Sequence, residues 1–334
     1  MSALVVGKIP NLGIVEPIRR HLPVISNSEV KTFKRCPREH HFAYRLLRRA
    51  IRRANALALG SLYHAGLETW WRGGGDLIAA LAAIDAFDDA AIDIFDRAKA
   101  RAMMRMYHAR WAGADYEVLA VEELWTADLI NPETGAASRT FRVSGKIDGL
   151  IRRLSDNTIW IVESKTTSED IGVGSDYWKR LKIDSQVSTY LMGVADIMAR
   201  LGIEGEPAGV LYDVTRKPGQ RPLEVNKKNK EAETPEDYEH RCLEAMGENP
   251  DRFLQRGEVV RLEEDALDAA HDLWSYARLM REAEIAKRYP RNVDQCNRFG
   301  RTCEYFGVCT GEARLDDDSM FRTAETGHEE LASA

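Results

Sequence analysis

Val143-Ser144-Gly145-Lys146-Ile147-Asp148-Gly149-Leu150 and, after a short polar gap, Thr158-Ile159-Trp160-Ile161-Val162-Glu163-Ser164-Lys165 are the stretches whose reading decides the fold. Both are rich in β-branched and aromatic residues, which predicts strands. Ser155-Asp156-Asn157 between them has turn chemistry, so an antiparallel hairpin is the simplest joining. Strand side chains alternate faces, so Glu163 and Lys165 point one way while Val162 and Ser164 point the other. A register that sets Asp148 across from them brings two carboxylates and an ammonium together at the end of otherwise apolar strands. A hard divalent cation would be held there by oxygen. An Asp and an E-x-K on neighbouring strands also arise as the solvated face of an edge hairpin, so the rest of the chain has to choose.

Upstream of the hairpin, Tyr116 to Ile130 alternates and runs into the turn residues Asn131-Pro132-Glu133-Thr134-Gly135, which predicts the first strand of the same sheet. Residues 76 to 112 are Ala-rich with helical apolar spacing and read as scaffold helices. Gly60-Ser61-Leu62-Tyr63-His64 opens another helix, with His64 and Glu68 one turn apart; a lone His there is more often packed or exposed than a ligand. Ser26-Asn27-Ser28-Glu29 has the capping-box pattern and starts a helix, and Cys36-Pro37 inside it predicts a break. From Lys31 to Arg53 nine Lys and Arg, among them Lys34, Arg35, Arg45, Arg48, Arg49, Arg52 and Arg53, face the single acid Glu39. Such a basic face suits a phosphate backbone and also occurs as a merely solvated helix. Residues 1 to 25 read as a weakly specified arm.

Downstream, Asp176 to Arg200 has helical spacing, with Gln186 and Tyr190 on one stripe. Gly209 to Thr215 reads as a last short strand, residues 220 to 240 as a charged linker, and Asp265 to Lys287 as a helix. The tail at 316–334, with Asp316-Asp317-Asp318, reads as disordered and acidic.

With 334 residues, 44% apolar and 30% charged, the chain can bury a sizeable core. No apolar run approaches the roughly 18 residues of a membrane helix. The start lacks the features of a secretory leader, so a cytoplasmic location is expected. In a reducing compartment five cysteines point to thiols or metal ligands, not a disulfide framework. Cys296, Cys303 and Cys309 fall within 14 residues, separated by six and five. These gaps exceed the usual zinc pairs, and a cubane iron-sulfur cluster takes four thiolates; Cys36 or Cys242 would supply the fourth. The net charge of −6 does not announce a nucleic-acid partner, and no G-x-x-x-x-G-K-[ST] loop is present, so an ATP-driven motor is not expected.

In their joint order these motifs resemble the PD-(D/E)xK nuclease superfamily, and within it the RecB-like branch with an iron-sulfur staple. That branch includes the AddB nuclease domain, the CRISPR-associated adaptation exonuclease and phage-encoded relatives. The likeness runs from about Ser26 to Cys309: G-x-x-x-H matches Gly60 and His64, G-x-x-D matches Gly145 and Asp148, E-x-K matches Glu163 and Lys165, and Q-x-x-x-Y matches Gln186 and Tyr190. One cysteine before and three after match Cys36 and Cys296, Cys303 and Cys309. The gap after Cys296 is longer than the adaptation exonuclease commonly has, which favours the phage-type branch.

The resemblance implies an α/β fold with a central mixed sheet flanked by helices, a restriction-endonuclease-like core. Its nuclease domain would span 26–315, with a helical insertion at about 72–115 and a C-terminal [4Fe-4S] staple joining Cys36 to the triplet. It implies a DNA exonuclease in which His64, Asp148, Glu163 and the Ser164 backbone carbonyl hold Mg²⁺ or Mn²⁺. Lys165 would orient water, and Gln186 and Tyr190 would complete the site. DNA as single strands or duplex ends, and a helicase or a recombination or adaptation protein, are the implied partners, with no membrane. A catalytically idle DNA-binding subunit and an iron-sulfur redox sensor are the competing readings. Cys242 follows helical apolar spacing with Tyr238 and Met246, so a packed thiol is expected there and Cys36 is favoured as the fourth ligand.

Overall fold

A computed structural model describes residues 22–51, 55–225, 231–298 and 300–331. The chain enters through a two-residue strand, β1 (Val24–Ile25), and helix α1 (Asn27–Arg35). Ser26 caps α1 by accepting the Glu29 N–H at 3.1 Å. The reciprocal half of the expected capping box is absent, because Glu29 turns inward and is fully buried. The break expected at Cys36 is present: Cys36 is extended (φ −158°, ψ 110°), and Pro37 starts α2 (Pro37–His40) where its missing N–H costs nothing. A π-turn over His41–Arg45 leads to β2 (Arg48–Ala50). Helices α3 (Asn55–Arg72), α4 (Leu77–Ala86) and α5 (Ile94–Trp111) follow, the last two capped by Asp76 and Asp93.

The sheet then forms from β3 (Tyr116–Ile130), β4 (Ala137–Arg153) and β5 (Ile159–Thr167). After α6 (Asp176–Leu181) and α7 (Ser185–Leu201) come β6 (Pro207–Arg216), α8 (Pro235–Glu248), β7 (Leu254–Val259) and α9 (Glu263–Ala286). A small hairpin, β8 (Asn297–Arg298) and β9 (Arg301–Thr302), helix α10 (Phe306–Thr310) and β10 (Phe321–Thr323) complete the chain.

Strand order in the six-stranded sheet is β1-β4-β5-β6-β7, with β3 on the other edge of β4. β4 pairs antiparallel with β3 and β5, β5 parallel with β6, and β6 antiparallel with β7. This is a mixed central sheet flanked by helices, as expected. One face packs on α1, α7 and α9 through residues such as Phe33, Ile161, Val194, Tyr212 and Met280. The other packs on α3, α4 and α5 through Leu62, Tyr63, Met103, Val162 and Leu211. Gly145 and Gly193 let the sheet and α7 close on one indole: a Cβ on either would stand 2.7 or 1.9 Å from a Trp125 ring atom. Among the described residues no helix is long and apolar enough to cross a membrane.

Three expectations need correction. β6 is not the last strand, because β7 adds to its outer edge; the Gly257 in β7 obscures the strand pattern, but its missing side chain leaves room for the Trp178 ring. The supposed linker ends in α8, started by the Thr234 cap and Pro235. The tail is not disordered through its described length: β10 pairs antiparallel with β2, Phe321 stacks on Tyr305, and Glu330 accepts a hydrogen bond from Ser26 at 2.6 Å. An isolated acidic tail carries no signal of a strand partner some 270 residues away, so composition alone misread it.

Candidate active site

β4 and β5 are paired from Arg152↔Ile159 to Gly149↔Val162 and no further, whereas β5 stays paired with β6 out to Thr167↔Arg216. The same edge of β4 is taken up again only at Arg142 and Val143, by β1. The sheet therefore splits, and Asp148 and Ser164 face each other across the split. Asp148 Oδ2 accepts the Ser164 N–H at 2.7 Å. A strand residue's N–H and C=O point to the same edge, so the Ser164 carbonyl faces this gap as well.

Glu163 is 1% exposed. Its Oε1 accepts hydrogen bonds from Lys165 Nζ and from Gln186 Nε2, the latter at 2.8 Å, while its Oε2 is buried with no partner. Gln186 in turn lies 2.5 Å from the Tyr190 hydroxyl, so the Q-x-x-x-Y stripe of α7 closes on the carboxylate. Burial, and then the neighbouring Glu163 charge, push the Asp148 carboxyl well above the usual carboxylate range. Burial alone would lower the Lys165 ammonium, but Glu163 and Asp148 outweigh it and hold it above its ordinary value. Burial, helped by Lys165 and Lys146, pushes His64 down to about 4, so its imidazole is neutral and can act as a ligand. Gly60, one turn earlier, sets the approach of α3: its Cβ would stand 3.3 Å from Thr166 Oγ1 on β5.

Two charged residues beside this group were not singled out from the sequence. Lys146, on the same face of β4 as Asp148, pairs with Glu122 of β3 at 2.5 Å. Glu122 lies opposite Asp148, between the pairs Val121↔Gly149 and Glu123↔Ile147, and adopts a left-handed φ of +56°. The period-2 placement of Lys146 was legible; the backbone turn at Glu122 carries no sequence signal.

The basic run serves the chain itself. Arg35 binds Glu39, and Arg45 spans Glu29 (2.7 Å) and Glu284 (2.6 Å). Arg48 donates to the Leu315 carbonyl, Thr323 and Asp318, and Arg49 donates to the Gly327 carbonyl and stacks on Tyr44. Lys34 lies over Tyr276 and 3.8 Å from Asp272. Arg48 and Arg49 thereby tie the segment around β2 to residues 315–327, while Lys34, Arg35 and Arg45 are paired nearer the helices. Arg52 and Arg53 lie outside the described residues.

Cys36, Cys296, Cys303 and Cys309 line one pocket together with Glu39 and Arg291. The β8–β9 hairpin accounts for the long gap, since it returns Cys303 to donate its N–H to the Cys296 carbonyl at 2.7 Å. Burial pushes the Cys303 thiol up to about 11 and raises Cys309 as well, and the nearby Cys36 and Cys296 act in the same direction. Cys242 lies elsewhere, fully buried among Ala98, Ala102 and Tyr238, the packed thiol its spacing predicts. Among the described residues no group of three or more His, Cys, Asp or Glu side chains forms a ready-made metal site.

No curated protein matches the chain at a significant level. A family model does: that of the PD-(D/E)XK nuclease superfamily covers residues 24–310, which include every motif gathered at the split sheet, and the chain belongs to that superfamily.

Proposed function

We propose that this protein is a metal-dependent DNA nuclease acting as an exonuclease, with a [4Fe-4S] cluster in the four-cysteine pocket. Members of the superfamily are generally nucleases and usually use Mg²⁺ or Mn²⁺. One observation carries the reading: the buried Glu163 keeps an unpartnered oxygen beside a second, half-buried carboxylate, Asp148, with the Lys165 ammonium to offset the two. Such a deficit of positive charge fits a hard dication. Asp148, Glu163, the neutral His64 and the Ser164 carbonyl are the residues that would hold it. When bound, the ion polarises the phosphodiester and acidifies water. Lys165 stays charged and can orient a water or steady developing negative charge, while Gln186 and Tyr190 fix the Glu163 carboxylate.

The cluster reading rests on donor chemistry, since four thiols around one pocket match a cubane better than a lone ion. It would tie the segment after α1 to the C-terminal triplet. DNA, as single strands or duplex ends, is the proposed substrate, and a helicase or a recombination or adaptation protein the proposed partner.

Incubation of the purified protein with end-labelled and circular DNA in Mn²⁺ tests the activity: cleavage is expected from ends only and should stop with EDTA. Cleavage of closed circles would replace exonuclease by endonuclease, and no metal-dependent cleavage would remove the reading. For the cluster, Cys36→Ser should lose the brown absorbance at roughly 400 nm, where Cys-ligated clusters absorb, and Cys242→Ser should keep it. Colourless protein containing zinc would refute the cluster.

A further inference from the structure

On the reverse face of the E-x-K strand lies a second set of buried charges. Asp213 of β6 is 2% exposed. Its Oδ2 accepts the Tyr107 hydroxyl at 2.6 Å and Arg256 Nε at 3.0 Å. Arg256, on β7, also donates to the Tyr107 hydroxyl at 3.1 Å and stacks on Trp111 with 4.0 Å between guanidinium and ring centre. Asp213 thus draws together α5, β6 and β7 beside the apolar layer formed by residues such as Leu62, Met103 and Leu211. A buried ion pair of this kind is weak evidence of stabilisation, since apolar residues of similar volume often do as well. Its retention calls for another reason.

The register supplies one. Ser164, the middle residue of E-x-K, is paired directly with Asp213 across β5 and β6, so the two side chains stand side by side on the reverse face. Ser164 Oγ and Asp213 Oδ1 are both buried and both without a partner. A hydroxyl donor and a carboxylate acceptor left open at neighbouring positions are complementary, directly or through one water.

We propose that Asp213, fixed by Tyr107 and Arg256, is a positioning residue for the candidate active site. It holds the Ser164 hydroxyl from behind, and so fixes the residue whose N–H binds Asp148 and whose carbonyl faces the split. The inference rests on the nuclease reading above and adds to it a residue that touches neither metal nor substrate.

The test compares wild type, Glu163→Gln, Asp213→Asn and the double variant Asp213→Leu with Arg256→Leu. Asp213→Asn keeps the shape and should lower kcat on end-labelled DNA by about 10²-fold, the scale of one lost preorganised contact. KM for DNA should stay within about twofold and half-saturating Mn²⁺ should rise several-fold. The double variant, with an apolar pair in place of the ionic one, should recover the wild-type melting temperature while keeping the kcat defect. Recovery of kcat together with stability, or an Asp213→Asn variant with unchanged kcat, would overturn the proposal. Should the double variant fail to fold, Asp213→Asn assayed well below its own melting point decides by the same criterion. An active wild type with inactive Glu163→Gln and unaffected Asp213→Asn removes this inference alone. Where wild type does not cleave, Mn²⁺ affinity measured by calorimetry still decides, because equal affinity in wild type and Asp213→Asn refutes positioning.

Discussion

Glu29 and Glu163 are buried alike, at 0% and 1% exposure, yet the chain surrounds them differently. Glu29 is met from several sides: Arg45 at 2.7 Å and His40 Nε2 at 2.8 Å on Oε1, and His328 at 3.3 Å from Oε2. Those partners come from the first helices and from the C-terminal tail, so this carboxylate closes the two ends of the chain on each other. Glu163 has a different balance, with Asp148 beside it and, among the described residues, Lys165 as its one ion-pair partner. A buried charge whose partners the protein supplies is a structural joint, and an under-compensated one is a place for a cation.

The largest expected effect tests the under-compensated side. Glu163→Gln keeps the shape and the Gln186 contact region but removes a charge, so Mn²⁺-dependent cleavage of end-labelled DNA should fall by roughly 10³-fold or more. Its unfolding temperature should hold or rise, because one of two crowded carboxylates is gone. A variant that loses stability in step with activity would make Glu163 a second structural joint and erase the contrast.

Glu29→Gln should behave in reverse. Removing one partner of a buried ion pair leaves Arg45 less compensated, and a loss of about 3 kcal/mol in urea unfolding is expected. Cleavage per folded molecule should be unchanged. A large fall in kcat with wild-type stability would move the functional boundary to the terminal joint.

A smaller effect sharpens the terminal side by pH. Burial lowers the His328 pKa, but the hydrogen bond to Glu330 and the charge of Glu29 outweigh it, and the net shift is upward. A raised folded pKa means that the stabilisation is fully present below the unfolded value of about 6.5 and is lost as pH rises through the folded value. The wild-type advantage over His328→Gln should therefore be about 1 kcal/mol near pH 5.5 and fade towards pH 9. An advantage that grows with pH would show that His328 acts as a neutral hydrogen-bonding group to the Val24 carbonyl, 3.1 Å away.

Much of this was readable from local order. The alternation of β5 places Glu163 and Lys165 together, helical spacing joins Gln186 to Tyr190, Ser26 marks the start of α1, Pro37 marks its end, and Cys242 sits on an apolar stripe. These are periodicities of 2 and 3.6 or single-residue backbone rules, and they act within a few positions. What the sequence could not supply was the partner of each charge. The same arginines read as a phosphate-binding face and as internal ties, because composition shows a charge's sign and not its neighbour. β7 and β10 were missed because their stabilisation comes from pairing with distant strands. The split between β4 and β5, which turns an E-x-K hairpin into a pocket, and Asp213 behind Ser164 exist only once the register of three strands is set. Local spacing determined which residues share a face, and long-range pairing decided which faces meet.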